Sequence, residues 1–164
     1  MPYTRAWCAG ERRDVLQRLI GLYKFERARV AHKVLGDLLL QTLPELPSET
    51  IIVPVPTAHS HVRERGYDHT VLIAQYIATK RNLKFEESLS RIGSTTQRRA
   101  SATKRQSQAK TAFAARRDII NDVPYLLVDD IVTTGSTIKY AAQVLKNAGA
   151  TEVWVAVLAR QTLD

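Results

Sequence analysis

Two adjacent carboxylates, Asp129 and Asp130, close an apolar run, Tyr125 to Val128. Two residues later comes Thr133-Thr134-Gly135-Ser136-Thr137. Paired acids at the end of a buried strand can accept hydrogen bonds from a diol or help hold Mg²⁺, which prefers oxygen ligands. Burying such charges without partners is costly, so they are expected at a site rather than in the core. The hydroxyls that follow, with the free amides of a helix start, make an anion cradle to which the helix dipole adds. Gly135 lets the backbone turn tightly and approach a phosphate. Acids for sugar hydroxyls beside a cradle for phosphate describe a ribose 5-phosphate. A plain helix cap would account for the small hydroxyl residues alone, but the apolar run and the acid pair in front favour a site. A Walker A loop would need a Gly-Lys-Ser/Thr ending, and a dinucleotide fingerprint would need spaced glycines; neither is present.

These residues need elements to position them. Apolar residues recur at helical spacing through residues 12–43, until Pro44 and Pro47 stop the helix. Ile51-Ile52-Val53-Pro54-Val55-Pro56 reads as a buried strand ending near Pro56. Residues 57–66 read as a polar loop. A helix is expected around Val71 to Ala78, a weaker strand over Leu83 to Leu89, and a helix near Thr103 to Ala115. Tyr125–Val128 and Val153–Leu158 are strong strands. Ile138, Ala141, Ala142, Leu145 and Ala148 line one face of the helix between them, with Gly149 at its C-terminal end. Continuous apolar strands separated by helices predict a mainly parallel sheet covered on both faces. In such folds ligands sit beyond the carboxyl ends of the strands, where Asp129 and Asp130 stand.

The chain has 164 residues, enough for one domain with its own core, and no linker or repeat divides it. Its longest apolar run, Val153 to Ala159, is far short of a membrane span. The N-terminus has no apolar stretch of signal-peptide length, and Cys8 is the only cysteine. A cytoplasmic protein without disulfides is expected. Net charge is +8, and residues 88–117 carry eight cationic and no acidic side chains. A run of this kind attracts polyanions, either nucleic acid or a phosphorylated small molecule, unless it is merely a solvated loop. Its one aromatic, Phe113, is few for a protein that stacks single-stranded bases.

The acid pair and its Thr/Gly/Ser loop resemble the PRPP-binding motif of type I phosphoribosyltransferases (PRPP, 5-phosphoribosyl 1-diphosphate). Val53-Pro54-Val55-Pro56, a basic loop with Arg63-Glu64-Arg65-Gly66-Tyr67-Asp68-His69, Gln97, Arg105, Ala112-Phe113 and the closing Val157-Leu158-Ala159-Arg160-Gln161 extend the likeness over residues 12–161. Together they resemble the ComF family, which is linked to DNA uptake in competent bacteria and related to the amidophosphoribosyltransferases. Three features depart from that family. The Cys-rich zinc module that often precedes this domain has no counterpart here. The usual Arg-Gly-Phe-Asn-Gln is Arg65-Gly66-Tyr67-Asp68-His69, and a usual Asn is Gln108.

The resemblance implies the type I phosphoribosyltransferase fold with a mobile basic loop, and a reaction in which a nitrogen nucleophile displaces pyrophosphate from C1 of PRPP. It implies that Asp129 and Asp130 bind the 2- and 3-hydroxyls, and that Thr133, Thr134, Gly135, Ser136 and Thr137 hold the 5-phosphate. Thr57 and Ala58 would begin the pyrophosphate loop, with Arg63 and Arg65 as candidate contacts because guanidinium grips phosphate oxygens in pairs. Gln97, Arg98 and Arg105 would belong to the mobile loop that closes over the substrate. Mg²⁺ would arrive with PRPP and bridge its pyrophosphate and ribose. Residues 1–45 would form part of a hood or a homodimer face. Single-stranded DNA is the further partner considered for residues 88–117, and a PRPP-sensing module without turnover is the alternative to an enzyme. His59, His61 and His69 could suggest a metal, but exposed loop histidines explain that spacing better. Replacing both aspartates by Asn is expected to remove PRPP binding and spare the fold.

Overall fold

The computed structural model describes residues 1–25, 29–92, 113–116 and 118–161. The elements run β1 (Arg5–Glu11), α1 (Asp14–Phe25), α2 (Ala31–Thr42), β2 (Ile51–Pro54), α3 (His59–Arg65) and α4 (His69–Arg81). They continue with β3 (Lys84–Phe85), β4 (Leu89–Arg91), β5 (Phe113–Ala115), β6 (Pro124–Val132), α5 (Ser136–Asn147) and β7 (Glu152–Arg160). Five strands form one parallel sheet in the order β1-β7-β6-β2-β3, and β4 pairs with β5 as a separate antiparallel ribbon.

Strand geometry divides the core. Side chains alternate between the faces of a sheet. Leu126 and Val128 of β6, Ile52 of β2 and Trp154, Ala156 and Leu158 of β7 pack with α1, α2 and α4. Tyr125 and Leu127 of β6, Ile51 and Val53 of β2 and Val153, Val155 and Val157 of β7 pack with α5 and the β4–β5 ribbon. Both faces are covered, as continuous apolar strands require. The chain leaves β2 through α4 on one face and leaves β6 through α5 on the other. The connections that leave the carboxyl ends of neighbouring β2 and β6 therefore diverge, and a crevice opens where the strand order reverses.

Several elements differ from expectation. Residues 5–11 form an edge strand paired with β7, in register Arg5 with Trp154. Their sequence, RAWCAGE, is mixed: Trp7 and Ala9 pack against the core, while Arg5, Ala6, Cys8 and Glu11 are exposed. The helical stretch over residues 12–43 is two helices, α1 and α2. Leu43 takes the extended conformation that a residue before proline prefers. Residues 59–65, read as loop, are helix α3, closed by Gly66 at φ 80. Only seven residues long, it shows too little apolar periodicity to be recognised and is too short to be stable without the body it packs on. The segment Leu83 to Leu89 splits between β3 and β4. Phe113–Ala115 is a strand rather than the end of a helix, its register set by pairing with Leu89–Arg91. Residues 103–112 of that expected helix lie outside the described residues. Gly149 follows α5 at φ 111, a conformation open to glycine at little cost.

Candidate ligand cleft

The alternation that divides the core also aims the two acids. Asp130 continues the Leu126–Val128 row toward α1 and α4, while Asp129 continues the Tyr125–Leu127 row. At the strand end both reach one cleft of about 280 Å³, lined also by Lys24, Thr57, Ala58, His61, Arg65, His69, Arg91 and Thr137. Residues from β6 and the start of α5 thus meet residues that follow β2.

Asp130 is buried, contrary to the expectation that neither acid belongs to the interior, and its partners explain why. Its Oδ2 accepts from His69 Nε2 at 2.6 Å and pairs with Lys24 Nζ; its Oδ1 accepts from Ile131 N at 2.5 Å. His69 is fixed from behind by Arg65 Nη1, 2.7 Å from Nδ1. Guanidinium can only donate, so Nδ1 must be the acceptor and Nε2 carries the proton. The imidazole therefore bridges Arg65 and Asp130. Burial by itself would push the Asp130 carboxyl up. The His69 hydrogen bond and the Lys24 ammonium outweigh it and hold the carboxyl well below the usual range.

Asp129 is half-buried, and its Oδ1 accepts from the Asp130 amide at 2.9 Å. Burial, followed by the neighbouring Asp130 charge, raises its carboxyl well above the usual range. The two acids are thus unequal. Asp130 is a fixed anion with three donors, and Asp129 is the freer and more readily protonated group.

The replacements in Arg65-Gly66-Tyr67-Asp68-His69 all tie this region together. Tyr67 donates to the Tyr23 carbonyl at the end of α1. The Tyr23 hydroxyl, which burial keeps protonated, donates to the His69 carbonyl at 2.7 Å. Asp68 caps α4 through the amides of Thr70 and Val71. It also accepts from the Thr57 hydroxyl at 3.0 Å, which pins the loop after β2.

Thr137 lines the cleft. Thr133, Thr134 and Ser136 are exposed at the strand-to-helix turn beside it, with the Thr134 and Ser136 hydroxyls 2.9 Å apart. Gly135 sits at φ 74 immediately before α5. A Cβ there would meet only Val132 at 4.0 Å, so the constraint is in the backbone. Gly135→Ala is expected to cost about 1–2 kcal/mol, seen as a thermal melting point several degrees lower.

Arg65 lines the cleft, but Arg63 is exposed on α3 and does not. Gln97, Arg98 and Arg105 lie outside the described residues. The three histidines have separate surroundings: His59 is exposed, His61 stands 3.7 Å from Glu64, and His69 is on Asp130. Among the described residues no cluster of three or more His, Cys, Asp or Glu could hold a metal. Sequence reasoning missed Lys24, and it counted Arg91 only as one cation of the basic run over residues 88–117. Lys24 lies about a hundred residues from the acids it faces, and no motif marks it. Trp154 is core, edge-to-face on Trp7, and Cys8 is exposed on β1.

Sheet, flanking helices and cleft together define a protein of the type I phosphoribosyltransferase fold. Residues 81–162, half of the chain, match the phosphoribosyl transferase domain family. Competence protein F of Haemophilus influenzae is 31% identical over 158 residues, covering 90% of this chain and 69% of that protein. The DNA utilization protein YhgH of Escherichia coli K12 is 31% identical over 169 residues, covering 97% and 73%. The chain belongs to the ComF family, within the type I phosphoribosyltransferase superfamily. Among solved structures, the allosteric regulatory enzyme of purine biosynthesis superposes with a TM-score of 0.54 at 23% identity over 77% of this chain. The glutamine PRPP amidotransferase of B. subtilis does so with 0.52 at 22% over 76%. This chain spans about a quarter of the length of either enzyme, and the likeness is one of fold.

Proposed function

We propose that this protein binds PRPP in the cleft between the ends of β2 and β6 and transfers its phosphoribosyl group to a nitrogen nucleophile. The observation that carries this reading is the convergence of Asp129, Asp130 and Thr137 with Thr57, Ala58 and Arg65 on one cleft. The carboxylates receive the ribose hydroxyls. The amides and hydroxyls of residues 133–137 receive the 5-phosphate at the N-terminus of α5. Thr57, Ala58 and Arg65 face the pyrophosphate. The bond from C1 to the pyrophosphate oxygen breaks with its electron pair leaving on that oxygen. The nitrogen lone pair forms the new bond to C1, and the nitrogen then sheds a proton. As C1 becomes electron-poor, the carboxylates nearby stabilise it, and the same side chains keep the sugar aligned for attack.

Asp129 and Asp130 supply too few oxygen ligands for a protein-held Mg²⁺ site, and one Asp130 oxygen already carries two donors. They fit a cation that arrives on the ligand and completes its shell with phosphate oxygens and water. Such an ion would neutralise the departing pyrophosphate. Release of pyrophosphate from PRPP with a panel of amines and bases tests turnover. Binding of PRPP without release under every acceptor would identify a sensing module instead.

The names of the two relatives tie those proteins to competence and DNA utilization. With eight cations and no acid in residues 88–117, they favour a second role in this chain, contact with single-stranded DNA during uptake or use. Its affinity should fall about tenfold or more between roughly 50 and 200 mM salt, measured by fluorescence anisotropy. A flat response would leave the segment to the small molecule alone. Among the described residues no helix is long and apolar enough to cross a membrane, and the proposed work is cytosolic.

A further inference from the structure

We propose that Lys24 is a pyrophosphate-gripping residue that must let go of Asp130 as ligand binds. The inference rests on the PRPP reading of the cleft. Asp130 Oδ2 holds two donors, His69 Nε2 at 2.6 Å and Lys24 Nζ. They are not equally replaceable. His69 is 4% exposed and is locked by Arg65 behind it and by the Tyr23 hydroxyl on its carbonyl. Lys24, whose side chain is 15% exposed, carries its ammonium on a flexible four-carbon stem in the last turn of α1 and lines the cleft. A ribose hydroxyl arriving at Asp130 therefore takes the place of the ammonium, not of the imidazole.

The displaced ammonium needs an anion. It shares the cleft with Arg65 and Arg91. Arg65 is 9% exposed, makes no ion pair among the described residues, and its Nε has no hydrogen-bond partner there. A buried guanidinium left this way favours an anion beside it. Two guanidinium groups and a freed ammonium match the charge of a pyrophosphate, whereas the 5-phosphate is provided for by the turn before α5. Lys24 thus exchanges one anion for another and makes the site selective for a ribose phosphate that carries the diphosphate at C1. It lies outside residues 81–162, the part that matches the domain family.

Calorimetric titration with PRPP and with ribose 5-phosphate, both with Mg²⁺, separates the outcomes. Lys24→Gln keeps a donor for Asp130 and removes the charge. It should weaken PRPP about tenfold or more and leave ribose 5-phosphate within about twofold of the unmutated protein. Lys24→Arg, which keeps the charge, should retain most of the PRPP affinity and serves also if the Gln variant does not fold. An equal loss of both ligands would make Lys24 only a support for Asp130 and overturn the proposal. So would unchanged affinity for both, or loss of PRPP selectivity in Lys24→Arg. If the unmutated protein binds neither ligand, it is the PRPP reading itself that fails.

Discussion

Asp129→Asn should bind PRPP about ten- to a hundredfold more weakly than the unmutated protein and yet melt at the same or a higher temperature. The loss follows from a charge-assisted hydrogen bond to a ribose hydroxyl, worth about 1.5–3 kcal/mol. The spared stability follows from the raised carboxyl. Burial and the Asp130 charge make ionisation of Asp129 unfavourable in the folded chain. A group raised in this way favours folding at pH below its ordinary pKa, and that contribution is lost as pH rises through the raised folded value. At neutral pH the carboxyl is therefore a burden that Asn removes. Binding has the opposite dependence, because the hydroxyl needs the ionised acceptor. PRPP affinity should fall on acidification at a pH above the ordinary carboxylate range, and the Asn variant should lack that fall. Calorimetry and thermal melting across pH check both halves. A large loss of stability in Asp129→Asn would contradict the assignment.

Asp130→Asn should behave differently and lose stability. Its carboxylate is the buried partner of Lys24 and His69. Removing one member of a buried pair leaves an uncompensated charge and costs about 3–5 kcal/mol. For a chain of this size the melting point should drop by roughly 6–20 °C. Lys24→Met combined with Asp130→Asn should recover much of the loss, because no stranded ammonium remains. The depressed Asp130 carboxyl contributes stability above its ordinary pKa, and that contribution is lost only as pH falls through its low folded value. The acid limb of the stability profile should therefore shrink in Asp130→Asn. The expectation that both aspartates can be replaced without harm to the fold is thus kept for Asp129 alone. A melt of Asp130→Asn superposing on that of the unmutated chain would refute the buried pairing.

How far the chain could be read without coordinates depends on where the information lies. The strands at Ile51, Tyr125 and Val153 and the helix lined by Ile138 and Leu145 are written in short-range apolar patterns, and they appear where expected. The adjacency of β2 and β6, which brings Thr57 and Ala58 to the acids, joins strands far apart in the chain and has no local pattern that states it. Edge strand β1 could not be read, because its pairing is with β7 at the far end of the chain. Helix α3 could not be read either, since its seven residues are mostly exposed and only Arg65 is buried. The ion pair of Lys24 with Asp130 is a tertiary fact with no local signature. The same holds for the inequality of the two acids. Side-chain alternation predicts that neighbours on a strand point apart, but not which one meets a lysine.

The central claim is that one cleft holds a ribose diol on two aspartates and its 5-phosphate at the start of α5. A crystal structure of the complex with PRPP and Mg²⁺ tests it most directly. The account predicts the 5-phosphate within hydrogen-bond distance of the backbone of residues 134–137, with the ribose hydroxyls on Asp129 and Asp130. A phosphate bound away from that turn, or a sugar that touches neither carboxylate, would contradict it.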